Sequence, residues 1–221
     1  NLGAGAARNR AIIESSCNYL AFLDADDEWL EKKLEISWNR IAGSDYVIVS
    51  HDVIVQNTDG SQVYTDCVKR WDELSSFVSM YKRGHISTTT AVVRKDRVLD
   101  VGGFDVTLPN AQDFDLWLKL LSRPSAELKI FSGAHAIYYV QPESIQSHTM
   151  RRLQCCERIA IRHFPHLRKV TGIAVWHFWF RQLAINAEAV RAFWTQNEKA
   201  ISLRLIVSFP LVLIVRTFTA Y

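Results

Sequence analysis

The sequence predicts an α/β layered domain followed by an all-helical tail, and three observations carry that expectation. Short apolar runs of strand type alternate with amphipathic helical stretches up to about residue 150. Beyond that point only helical periodicity remains. The charge divides at the same place: residues 1–150 hold 15 Lys and Arg against 20 Asp and Glu, a net of −5, whereas residues 151–221 hold 11 against 3, a net of +8, which together give the overall +3. The boundary is placed at 148, with a domain over 1–148 and a basic helical tail over 149–221. With 48% apolar and 11% aromatic residues in 221, the chain has material for a sizeable core, which excludes wholesale disorder.

The elements follow in order. Residues 5–16 open on small residues and read as a helix with Arg8, Asn9 and Arg10 in its first turns. Tyr19 to Leu23 is a short strand ending in Asp24-Ala25-Asp26-Asp27. Trp29 to Ala42 carries apolar residues at 30, 34, 38 and 41, a helical stripe that Gly43 stops. Tyr46 to Val49 is a buried strand, and Val53 to Val55 pairs with Gln62 to Tyr64 across Asn57-Thr58-Asp59-Gly60, a hairpin turn. A helix over Trp71 to Lys82 closes at Gly84, and Ile86 to Val93, rich in Thr and Val, reads as a strand. A short helix runs to Val101 and breaks at Gly102-Gly103. Asp113 to Leu121 is an amphipathic helix, and His135 to Val140 is a strand stopped by Pro142. Helices over 149–163, 170–195 and 199–218, the last kinked at Pro210, make the tail.

Acidic residues crowded at the carboxyl end of a buried strand repel one another and raise each other's pKa. A hard divalent ion, Mg2+ or Mn2+, relieves this, binding one or two carboxylates and filling its remaining positions with phosphate and water. Ligands also sit at carboxyl strand ends in open α/β sheets. The plainer alternative is a solvated turn in which Asp27 caps the helix beginning near Trp29.

Three further segments stand in a fixed order around that cluster: Gly3-Ala4-Gly5-Ala6-Ala7-Arg8-Asn9 before it, then Val101-Gly102-Gly103-Phe104-Asp105, then Gln112-Asp113-Phe114-Asp115-Leu116-Trp117. From residue 1 to about 148 the set resembles the family-2 inverting glycosyltransferases of the GT-A fold. The resemblance implies a partial GT-A layered α/β domain in which Arg8 and Asp24 contact the nucleotide-sugar donor, Asp26 ligates the metal and Asp113 is the catalytic base. It places Gly102, Gly103, Asp105 and Gln112 on the acceptor side. Paired glycines also suit a plain helix-terminating turn, and an acid at a helix start suits the dipole, so both readings stay open for these residues. Two departures stand out. Gln112 replaces the family's glutamate, and Tyr138-Tyr139-Val140-Gln141-Pro142 lacks the basic pair of its Tyr-Arg-x-His-Pro segment, leaving His148 as a substitute metal ligand.

The implied activity is inverting transfer of a sugar from a UDP- or dTDP-type donor to a saccharide or lipid-linked acceptor, in bacterial surface-polysaccharide or glycolipid assembly. A cytoplasmic location at the inner face of the plasma membrane goes with it. A metal-dependent nucleotidyltransferase and a truncated, inactive transferase-like module are the alternatives. The family carries strands and helices ahead of the Gly-Ala-Gly region, so an upstream segment is expected, and the 221 residues by themselves are expected to show little turnover. In the tail, arginines interleave with Trp176, Phe178, Trp179, Phe180, Phe193 and Trp194, and an eleven-residue apolar run lies between Arg204 and Arg216. That run is too short to span a bilayer; the pattern suits either packing on the domain or peripheral contact with an anionic membrane, and no nucleic-acid motif is present. Cys17, Cys67, Cys155 and Cys156 fit neither a zinc pattern nor a disulfide framework.

Overall fold

The computed structural model describes residues 2–70, 75–84, 86–140 and 149–196. Helix α1 (Ala4–Glu14) leads into strand β1 (Tyr19–Ala21), two-residue strand β2 (Glu28–Trp29) and helix α2 (Lys33–Ile41). Strand β3 (Tyr46–Gln56) turns through the expected hairpin, with Gly60 at φ +84°, into β4 (Gln62–Thr65). Helices α3 (Cys67–Arg70) and α4 (Ser76–Arg83), a 3-10 turn at Thr88–Thr90, strand β5 (Val92–Arg94), helices α5 (Lys95–Asp100) and α6 (Gln112–Leu121), and strand β6 (Glu127–Tyr139) follow. Helices α7 (Thr149–Val170) and α8 (Ala174–Gln196) complete the described chain.

The strands form one mixed sheet in the order β1-β5-β3-β6-β2, with β4 paired to the far end of β3. Among the described residues only β3 and β6 run parallel; their long pairing, from Tyr46↔Glu127 to Gln56↔Tyr139, is the spine of the sheet. Alternation along the strands sends Ile48 and Val93 to one face, where they meet Leu116, Trp117, Ile130 and Ile159 in the main core. Val49 and Val92 face the other way and pack with Ile41 of α2 and Phe131. The sheet is therefore covered on both faces, as a layered α/β domain requires.

Several elements differ from the sequence expectation. Helix α2 begins at Lys33, not Trp29, because Glu28 and Trp29 pair antiparallel with Ile137 and Ala136. Its buried face is Lys33, Ser37 and Ile41, while Leu34 and Trp38 of the expected stripe stay half exposed. Lys33 is buried because its ammonium lies 4.2 Å from the centre of the Trp29 ring, and burial lowers its pKa to about 8. Ile86 to Val93 is strand only from Val92: the Thr90 hydroxyl donates to Ser87 O at 2.9 Å, a local bond that competes with the ladder. Tyr46–Gln56 is one bulged strand rather than two, and the strand expected at His135 starts at Glu127. Residues 71–74 of the expected Trp71–Lys82 helix lie outside the described residues; α4 starts after Ser75, whose side chain accepts from Val78 N.

The two described tail helices pack against the α/β layers. Leu153, Cys156, Ile159, Leu167 and Ile185 belong to the main core, and the Tyr81 hydroxyl donates to Ala160 O at 2.7 Å. Helix α7 runs through Pro165 rather than stopping near 163, and α8 begins at Ala174. The expected 199–218 helix lies outside the described residues. A fully buried carboxylate fixes the join: Asp115 of α6 forms an ion pair with Lys119 at 2.9 Å and accepts from Arg162 at 3.0 Å and from His163 at 3.0 Å. Arg162 also reaches Asp105 at 2.8 Å.

Candidate active site

The end of β1, the first turns of α1 and the start of α6 meet at one point. Arg8 of α1 forms an ion pair with Asp24, sixteen residues on, and its guanidinium lies 5.5 Å from the Phe104 ring centre. Asp113 lies close enough to Arg8 and Asp24 to feel both charges. Its Oδ1 accepts from Phe114 N at 2.8 Å, and the Thr88 hydroxyl lies 3.4 Å from its Oδ2. Burial raises the Asp113 pKa, with the Asp24 charge adding to the rise and the Phe114 N–H and Arg8 working against it. A raised pKa makes a carboxylate a stronger base.

Local backbone geometry builds this arrangement. Ala111 takes a left-handed conformation, φ +55°, directly before α6, an uncommon state for a residue with a Cβ and one that clusters at functional sites. Gly103, φ +69°, ends α5 by donating to Val98 O, and a Cβ there would stand 2.5 Å from Asn9 Oδ1. Asn9 uses that approach to clasp Phe104, accepting from its N–H at 2.8 Å and donating to its O at 2.9 Å. The glycine pair thus forms a helix-ending turn whose second member lets α1 dock.

The remaining expected site residues fall as follows. Asp26 is exposed beside Asp24 and Asp27. Asp27 does not cap a helix, since α2 starts six residues later. It accepts from the Thr89 hydroxyl and from Tyr139 N, and burial, with Asp24 and Asp26 adding, raises its pKa to about 6. Gln112 packs against Gly5, where a Cβ would meet its amide at 2.8 Å. Asp105 holds Thr107 and Arg162. His148, with Gln141 and Pro142, lies outside the described residues.

Two contributors were missed from the sequence. The Thr88–Thr90 turn links the acidic cluster to Asp113, because Thr88 meets Asp113 and Thr89 meets Asp27, while Thr90 bonds Ser50 at 2.8 Å. The Ser-Thr run was a turn signal hidden by its β-propensity. Tyr138 is the other: burial, followed by the charges of Asp27, Asp26 and Asp24, pushes its phenol to about 12.

Among the described residues no group of three or more His, Cys, Asp or Glu side chains is placed to cage a metal. The donor set fits a hard divalent ion that takes one or two carboxylates and leaves its other positions to phosphate and water. Burial is the main cause of the raised Asp27 pKa, and the smaller contribution of the Asp24 and Asp26 charges is the part that such an ion would offset.

A mixed sheet covered on both faces, with aspartates at the end of a strand near an acid at a helix start, matches the layered α/β arrangement expected of part of a GT-A fold. Residues 1–101 match the model of Glycosyl transferase family 2. The chain is 34% identical over 125 residues to the amylovoran biosynthesis glycosyltransferase AmsB of Erwinia amylovora, covering 53% of this chain and 40% of that protein. It is 26% identical over 159 residues to the UDP-Glc:alpha-D-GlcNAc-diphosphoundecaprenol beta-1,3-glucosyltransferase WfgD of Escherichia coli, covering 69% and 57%. Among solved structures it resembles S. aureus TarS in complex with UDP-GlcNAc, with TM-score 0.60 and 16% identity over 93% of this chain and 57% of that one. It also resembles the mannosyltransferase PcManGT of Pyrobaculum calidifontis in complex with GDP-Man and Mn2+, with TM-score 0.57 and 15% identity over 99% and 63%. Residues 1–101 are thus similar to the family-2 glycosyltransferases, and the fold is similar to part of the GT-A fold of these neighbours; the chain spans about half the length of the two curated relatives named here.

Proposed function

We propose that this chain carries the acceptor-side half of the active site of an enzyme that transfers a sugar, with inversion, from a nucleotide-diphosphate donor to a saccharide or glycolipid acceptor in cell-envelope glycan synthesis. The observation that carries the reading is the convergence of Arg8, Asp24 and Asp113, which are far apart in sequence, beside the exposed carboxylate of Asp26. In this reading Asp113 takes the proton of the acceptor hydroxyl as that oxygen attacks the anomeric carbon opposite the departing diphosphate. Thr88 holds the base in place, and its raised pKa suits the proton transfer. Arg8 and Asp24 bind and orient the donor. Asp26, with Asp24 beside it, would hold Mg2+ or Mn2+, which supplies positive charge to the leaving diphosphate.

The relatives named for amylovoran synthesis and for a diphosphoundecaprenol-linked acceptor support the envelope-glycan assignment. The neighbours bound to UDP-GlcNAc and GDP-Man support a nucleotide-sugar donor. Peripheral contact with the inner membrane face belongs to the same reading: among the described residues no helix is long and apolar enough to cross a membrane, and Trp176 and Phe180 of α8 are exposed. The test is consumption of UDP-, dTDP- and GDP-sugars by the full-length protein, with Mn2+ and with a chelator, in wild type and Asp26→Asn. We expect metal-dependent consumption that Asp26→Asn lowers at least tenfold; metal-independent consumption, unchanged in the variant, would remove Asp26 from the metal site.

A further inference from the structure

Lys33 is a buried cation that the proposed chemistry leaves unused. It is 1% exposed, and among the described residues its Nζ has no hydrogen-bond partner. Its charge acts on His51 and His135, neither of which can neutralise it. What it meets is the Trp29 ring, whose centre lies 4.2 Å from the ammonium. Taking an ammonium out of water is costly, and a methionine would fill the same space without that cost. The cation therefore serves to grip the face of the indole.

The indole is held at its edge as well. Trp29 Nε1 donates to Thr89 O at 2.9 Å, which locks the ring to the Thr88–Thr90 turn. Thr89 is fully buried, and its hydroxyl donates to Asp27. Thr88, one residue earlier, is also buried and reaches Asp113 Oδ2 at 3.4 Å. Successive side chains of a 3-10 turn point about 120° apart, which lets neighbouring hydroxyls serve acids on two different elements. Thr90 anchors the turn behind them, donating to Ser87 O at 2.9 Å and bonding Ser50 of β3 at 2.8 Å. One peptide unit, with Cα atoms about 3.8 Å apart, thus separates the residues that hold Asp27 and Asp113.

We infer that Lys33, Trp29 and Thr89 are positioning residues that, together with Thr88, hold Asp27 and Asp113 as one unit, so that a change at the α2 end of the chain of contacts reaches the base. The side chains of Lys33 and Trp29 hydrogen-bond neither acid, and their influence runs through Thr89 and the turn. The effect on transfer rests on the reading of Asp113 as the base; the coupling of the two acids does not.

Carbon-13 NMR of the aspartate carboxyls in the metal-free, full-length protein tests the coupling, with sugar transfer measured alongside. Asp27→Asn and Asp113→Asn assign the two signals. Trp29→Phe keeps an aromatic ring and removes the N–H bond to Thr89. It is expected to shift both signals and to lower kcat about tenfold or more, as a small misplacement of reacting groups does. Trp38→Phe, on the half-exposed face of α2, should shift neither signal and keep full transfer. Thr89→Val should act as Trp29→Phe does, while Thr89→Ser, which keeps the hydroxyl, restores most of the transfer. Should Trp29→Phe fail to fold, Lys33→Met takes its place, with both signals shifted and a loss of about threefold or more expected. In a folded variant, signals that stay in place overturn the inference, and so does movement of the Asp27 signal alone. Movement of both with kcat unchanged removes these residues from positioning the base. Movement of both in a protein that transfers no sugar sustains the unit and refutes the transferase reading instead.

Discussion

Replacing Asp115 with asparagine tests whether buried charge fixes the tail helices to the α/β layers. The Asp115 carboxylate is fully buried on α6 and meets Lys119 of its own helix and Arg162 and His163 of α7. Burial by itself pushes its pKa up, but the bonds from His163 and Lys119 and the Lys119 charge more than reverse this, leaving it at about 2 against an ordinary 3.8. That difference corresponds to about 2.5 kcal/mol of stability at neutral pH. Because the folded-state value is depressed, the contribution is present above pH 3.8 and is lost as the pH falls through 2. Breaking a fully buried pair generally costs about 3–5 kcal/mol. Here Lys119 is 24% and Arg162 37% exposed, so both regain some solvation, which points to the lower value. Asp115→Asn should therefore lose about 2–3 kcal/mol in urea unfolding at pH 7, followed through the buried Trp117 two residues away. The gap between wild type and variant should narrow as the pH is lowered from 4 to 2. A loss below about 0.5 kcal/mol at pH 7, or a gap independent of pH, would refute the account of this join.

Two further outcomes follow from the site. Gly103→Ala should destabilise by about 2–3 kcal/mol, because the new Cβ meets Asn9 Oδ1 at 2.5 Å as well as an unfavourable φ; Gly102→Ala, with open space around it, should lose only about 1 kcal/mol. Equal losses in thermal unfolding would show that the Asn9 clasp contributes nothing. Carbon-13 NMR of the aspartate carboxyls should find Asp27 titrating near 6 without metal, protonated below that pH and ionised above it, with the midpoint falling when Mg2+ is added. A metal-free midpoint below about 4.5 would contradict its burial beside Asp24 and Asp26.

What the sequence disclosed depended on whether the cause was local. Helix α6 was legible because its apolar periodicity is strong, and the β3–β4 hairpin because Asn57-Thr58-Asp59-Gly60 is a turn signal. The aspartates at the end of β1 were expected as a site from their position at a strand end, and their order relative to Arg8 and Asp113 carried the resemblance to the family. Long-range causes were not legible. Strand β2 exists only through its pairing with Ile137 and Ala136, over a hundred residues away, and that pairing delays α2 and frees Asp27 from capping. The burial of Lys33 follows from the position of Trp29 and inverts the apparent apolar face of α2. Pro165 lies inside α7 because packing of Phe164 and Leu167 against the core outweighs one missing backbone bond.

Sugar transfer by the full-length protein and by its Asp113→Asn variant, each given a nucleotide sugar, Mn2+ and a panel of saccharide and lipid-linked acceptors, tests the central claim most directly. Asparagine keeps the bond from Phe114 N but cannot take the acceptor proton, so donor binding should persist while transfer falls by about 10²–10⁴-fold. Transfer at the wild-type rate in Asp113→Asn would contradict the assignment of the base.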